Sequence, residues 1–121
     1  MKALVIHDRE DISEKIAALL MECGCDRADI IVAEDVRSAT EELRTQMFDI
    51  AIIDLTLQYK KGLGTPSYEA VENLLVEIFQ TETLHIPADL IGITKEPSAV
   101  KAALKMIGSH VLAVIEEDHG E

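Results

Sequence analysis

Two aspartates, Asp8 and Asp54, each close an apolar run: Asp8 follows ALVIH, and Asp54 stands inside FDIAIIDLTL. A buried strand has little reason to end in a charge unless that charge faces a cleft. Two carboxylates sharing one cleft repel each other unless a cation or a proton intervenes. Oxygen ligands of this kind suit Mg²⁺, which keeps several waters and needs only one or two protein carboxylates. Thr94, at the end of DLIGIT, adds a hydroxyl to the set. Glu116 and Glu117 follow a last apolar run.

These residues meet only if the runs that carry them are neighbouring strands. Five short apolar runs alternate with segments of helical period: Ala3 to His7, Ile30 to Ala33, Ile50 to Asp54, Leu90 to Thr94 and Val111 to Ile115. Between them, Asp11 to Cys23 puts Ile12, Ile16, Leu19, Leu20 and Cys23 on one stripe, stopped by Gly24. Asp35 can cap a helix carrying Val36, Ala39, Leu43 and Met47. Thr65-Pro66 reads as the opening of a third helix, with Val71, Leu74, Leu75, Ile78 and Phe79 inward. Pro97 opens a fourth, with Val100, Leu104 and Ile107, ended by Gly108.

Continuous rather than alternating apolar strands point to a parallel sheet covered on both faces. Right-handed crossovers make it a doubly wound α/β domain. In the flavodoxin-like order 2-1-3-4-5, strands one, three and four are neighbours, and chemistry sits at their carboxyl ends. Asp8 and Asp54 then face one cleft, with Thr94 beside them. Only EEDHGE follows the fifth strand, too little for a fifth helix. With four helices for two faces, one face is under-covered near the last strand. The expected causes are a chain cut from a longer protein, a partner, or a second copy.

The whole chain, 1–121, reads as one domain with an aliphatic core: 48% of residues are apolar, but only two Tyr, two Phe and no Trp are present. The net charge of −12 repels phosphate backbones, so direct nucleic-acid binding is not expected. No apolar run approaches the roughly 20 residues of a membrane helix, and MKALVIHD turns charged too soon for a signal peptide. Cys23 and Cys25 read as reduced thiols in a turn, which suits the cytoplasm. HDREDIS lacks the glycines of a nucleotide-binding turn, and no Ser-His or Cys-His pair ends matching strands, so an enzyme is not expected. Lys60 and Lys61 with Gly62 and Gly64 fit no phosphate-loop pattern and read as a flexible, partly basic loop.

Over residues 2 to about 116 the chain resembles the receiver domain of bacterial two-component response regulators, through KALVIHD, FDIAIIDLTL and DLIGIT in that order. The resemblance implies that Asp54 accepts a phosphoryl group from a histidine kinase. It implies that Asp8 holds Mg²⁺ together with Asp54 and the backbone carbonyl of Thr56, and that the Thr94 hydroxyl senses the phosphoryl group. The chain also departs from the family. His7 stands where the first acid of a pair belongs. With no second histidine placed to join it, it reads as a strand-end residue rather than a metal ligand. Ile115, Glu116 and Glu117 fill the neighbourhood of the family's lysine; Lys95 reads either as a solvated loop lysine before Pro97 or as a replacement for that ammonium from another strand. The loop after Asp54 is longer than the family's, and the fifth helix is missing. The expectation is a pseudo-receiver with impaired or absent phosphorylation. It would act by protein-protein contact as an N-terminal module, through a fused output domain, or as a homodimer. The alternative is a working Mg²⁺-dependent phosphoacceptor in a phosphorelay.

Overall fold

A computed structural model describes residues 1–94 and the strand at 113–116. The order is β1 (Ala3–Ile6), α1 (Glu10–Glu22), a 3-10 turn at Arg27–Asp29, β2 (Ile30–Ala33), α2 (Val36–Thr45), β3 (Ile50–Asp54), α3 (Tyr68–Gln80), β4 (Asp89–Thr94) and β5 (Ala113–Glu116). All four pairings are parallel, in the order β2-β1-β3-β4-β5. That is the flavodoxin-like order expected. The helix expected from Pro97 to Gly108, and the residues beyond Glu116, lie outside the described residues.

Side chains alternate across the sheet. Leu4, Ile6, Ala51, Ile53 and Leu90 face α2 and α3, whose Val36, Ala39, Leu43, Val71, Leu74, Leu75 and Ile78 complete one buried cluster. Ala3, Val5 and Ile30 face α1 and pack with Ala17 and Leu20. Among the described helices α1 alone covers this second face. Ile50 and Ile52 there are only partly buried, as are Ile91 and the next residue on its side, Ile93. The under-covered face expected near the last strands depends on the residues after Thr94, most of which lie outside the described residues.

Three helix details differ from expectation. The buried side of α1 runs Ser13, Ala17, Leu20, while Leu19 is 61% exposed and Cys23 is exposed. The small residues Ser13 and Ala17 let the helix lie close on the sheet, which turns Leu19 and Cys23 outward. Gly24 at φ 103° does end the helix, in a conformation that favours glycine. In α2 the chain leaves the helix at Gln46, so Met47 is 66% exposed and Phe48 takes the core position. In α3 the cap is Ser67, not Thr65. Ser67 is extended because it exchanges backbone hydrogen bonds with Leu57 (3.0 and 3.2 Å), and its hydroxyl accepts from Ala70 N at 3.4 Å.

The loop between β3 and α3 is tied to α2 rather than loose. Val36 N and Arg37 N donate to the carbonyls of Gln58 and Tyr59 at 3.1 and 2.9 Å. Buried Asp35 closes the junction: one carboxylate oxygen accepts from Ser38 N and the other from Lys61 N, both at 2.7 Å. Burial by itself would raise the pKa of Asp35, but the N–H groups of Lys61 and Ser38 outweigh it and hold the carboxyl below its usual value. Asp35→Ala is expected to cost about 1–3 kcal/mol in urea unfolding at pH 7. A carboxyl depressed in the folded state stabilises above its unfolded pKa and loses that contribution as pH falls through the folded value. The gap between wild type and variant should therefore narrow below about pH 4. A gap unchanged down to pH 3 would show that the carboxylate charge is not what holds the junction.

Candidate functional site

The β1–β3 register sets Ile6 level with Ile53, so the next residues, His7 and Asp54, come level at the same sheet end. His7 N continues the ladder on the other side by donating to Ala33 O at 3.0 Å. On β4, Ile93 pairs with Asp54, and Leu55 N donates to Ile93 O at 2.8 Å. Thr94 is the next residue, fully buried, and its strand partner is Glu116 on β5. Gly92 makes room here: a Cβ on it would lie 3.1 Å from Leu55 Cδ2.

Asp54 is 6% exposed. Its Oδ1 accepts from Thr56 N at 3.0 Å and from Thr56 Oγ1 at 3.3 Å, bonds that favour the ionised carboxylate. Its Oδ2 lies 3.5 Å from His7 Nε2, and His7 Nδ1 lies 3.4 Å from Asp8 Oδ1. The imidazole is 2% exposed and Asp8 29%. Arg9 N donates to His7 Nδ1 at 3.1 Å. A ring nitrogen that accepts carries no proton, which in a neutral ring leaves Nε2, 3.5 Å from Asp54 Oδ2, as the donor.

The structure thus brings Asp8 and Asp54 together as expected and places Thr94 at the adjoining strand end. Thr56 contacts Asp54 through its backbone N–H and hydroxyl, where only its carbonyl was expected to matter. Lys95 lies outside the described residues. The residue that sequence reasoning set aside is His7, which touches both acids. The signal for it was its position immediately before Asp8, but its contact with Asp54 needs the strand register.

Ligand atoms of His7, Asp8 and Asp54 all lie within 4.8 Å of one another. The two carboxylates fit a hard divalent cation such as Mg²⁺. The imidazole nitrogen does not add to that fit, because Mg²⁺ prefers oxygen.

No family model matches the chain. It is 28% identical over 103 residues to the uncharacterized protein y4jS of Sinorhizobium fredii, spanning 85% of this chain but about a quarter (25%) of that protein. Solved structures are more informative. The receiver domain of Francisella response regulator 1452 superimposes with a TM-score of 0.70 at 21% identity, covering 96% of this chain and 83% of that one. The response regulator TrrA from Thermotoga maritima, in complex with Mg²⁺ and BeF, gives 0.65 at 19% identity, covering 99% and 90%. The fold is that of a receiver domain. A bacteriophytochrome response regulator, AtBRR, agrees at a TM-score of 0.63 and 16% identity, covering 96% of this chain and 81% of that one. Within this receiver fold the cluster of His7, Asp8 and Asp54 occupies the carboxyl ends of β1 and β3. No described helix is long and apolar enough to cross a membrane.

Proposed function

We propose that this chain is a receiver-type signalling module that works in the cytoplasm by protein-protein contact, with phosphoryl transfer to Asp54 impaired. The observation that carries this reading is His7. An imidazole stands where a carboxylate would add charge to a cation pocket, and its Nε2 lies 3.5 Å from the Asp54 oxygen that would attack phosphorus. In such a transfer an Asp54 oxygen forms the new P–O bond while the donor leaves with the electrons of its bond to phosphorus. Asp8, Asp54 and the Thr56 carbonyl are the groups that would hold Mg²⁺, and the ion would supply neutralisation of the phosphoryl charge. The Thr94 hydroxyl would sense the phosphoryl oxygens, with Lys95 as their cationic partner. The partners are a histidine kinase or another signalling protein, a fused output domain, or a second copy of this chain.

The test is wild-type protein with acetyl phosphate or phosphoramidate and Mg²⁺, followed by intact-mass measurement. The expected result is no stoichiometric adduct. An adduct that forms in full and vanishes in Asp54→Ala would overturn impairment. It would establish the second reading, a working phosphoacceptor, which the retained pairing of Asp8 with Asp54 favours.

A further inference from the structure

A second feature lies on the α1 side of the sheet end: a cleft of about 340 Å³ between α1, the end of β1 and edge strand β2. Its floor is Val32, 38% exposed and uncovered by α1. Four carboxylates line it, from Asp8, Glu10, Glu14 and Glu34. From α1 Ser13 joins the wall; it is 2% exposed and its Oγ has no hydrogen-bond partner among the described residues. A buried hydroxyl left unsatisfied is destabilising, and a donor entering the cleft would relieve it.

We propose that this cleft takes the side chain of an arginine presented by a partner protein. Four carboxylates over an apolar floor call for a cation with an apolar body. Among the described residues, Glu10, Glu14 and Glu34 do not converge tightly enough to share one metal ion, whereas His7, Asp8 and Asp54 do. A guanidinium spreads five donors over a plane, so it reaches separated acceptors while its flat face and methylene stem lie on Val32. The Ser13 hydroxyl accepts one of those N–H groups. The chain's own cations already show the field. Arg27, also in the wall, stands 3.7 Å from Glu14, and Lys61 Nζ donates to Glu34 at 2.8 Å. Lys61 is held above its usual pKa, first by Glu34 and then, from farther off, by Asp8 and Glu10. Two cations at the rim leave four carboxylates under-compensated, in a chain whose net charge is −12. His7 and Asp8 line both this cleft and the sheet-end cluster, so the test reads binding at Glu10, Glu14 and Glu34 rather than phosphorylation of Asp54.

The test is a ¹⁵N–¹H NMR titration of the full chain with a capped Gly/Ser peptide carrying one arginine. Shifts should concentrate at Glu10, Ser13, Glu14, Val32 and Glu34, and the citrulline analogue, isosteric but uncharged, should leave them unmoved. The pair Glu10→Gln and Glu14→Gln should weaken binding by about tenfold, at the upper end for two exposed ion pairs. Glu41→Gln with Glu69→Gln removes the same charge from the opposite face and should weaken it less than about twofold. Val32→Lys fills the cleft from an exposed position and should abolish binding. Equal binding of the citrulline peptide, equal loss in both glutamine pairs, or shifts mapping elsewhere would overturn the proposal. Spermidine binding the same residues more tightly than the peptide would overturn the partner protein as the source.

Discussion

His7→Asp is expected to turn Asp54 into an efficient acceptor, raising its phosphorylation by phosphoramidate in Mg²⁺ by about tenfold to a hundredfold. The physics is that of a cation pocket. A unit charge pair 4 Å apart interacts by about 4 kcal/mol at an effective dielectric of 20. Exchanging a neutral imidazole for a carboxylate adds an attraction of that order to each charge of the ion. Repulsion from Asp8 and Asp54 offsets most of it, and a residual of about 1.4–2.8 kcal/mol is the factor stated. The substitution also removes the ring nitrogen 3.5 Å from Asp54 Oδ2. A second readout separates pocket repair from general disturbance. Without metal, three carboxylates crowd one sheet end, so the variant should melt below wild type. With Mg²⁺ its melting temperature should rise further than that of wild type, by linkage to the bound ion. If His7→Asp gains neither adduct nor a larger Mg²⁺-dependent shift, the imidazole is not what impairs the site. A wild type that is already fully phosphorylated removes the premise instead.

How much of this could be read in advance depends on what each feature rests on. The termini of β2 and β3 follow from the chain itself, because Ile30–Ala33 and Ile50–Asp54 are β-branched runs cut off by charge. Asp8 and Asp54 were visible for the same reason. The His7–Asp54 contact was not, since it follows from Ile6 lying level with Ile53, and a sequence does not state the register between strands 47 residues apart. Periodicity likewise assigned Leu19 and Met47 inward. It could not anticipate that Ser13 and Ala17 would form the close face of α1, or that α2 would stop at Gln46. The start of α3 was misplaced because Thr65-Pro66 is a good local signal. The cap is decided instead by a non-local bridge, Leu57 to Ser67.

That bridge makes Leu57 the residue on which the loop between β3 and α3 turns, and Leu57→Ala is expected to destabilise the domain by about 2–5 kcal/mol. Leu55, Leu57 and Leu63 look alike in the sequence, all leucines in a polar stretch after Asp54. Leu55 and Leu57 are fully buried in the cluster with α2 and α3, whereas Leu63 is 63% exposed at the loop tip. Leu63→Ala should therefore change stability by less than about 0.5 kcal/mol. The Leu57 cost has two parts that add: the lost transfer and packing of a buried side chain, and a cavity that its neighbours fill only in part. The cavity opens where Leu57 pairs with Ser67 and where the next residue, Gln58, accepts from Val36 N, so the start of both α2 and α3 should loosen with it. Urea unfolding gives the size of the effect, and amide exchange gives its place. Faster exchange at Val36, Arg37 and Ala70, with β1 unchanged relative to the lowered global stability, is the expected pattern. Similar losses for Leu57→Ala and Leu63→Ala would mean that the loop is not anchored in the core. The placement of Thr56 against Asp54 would then lack the support that the loop gives it.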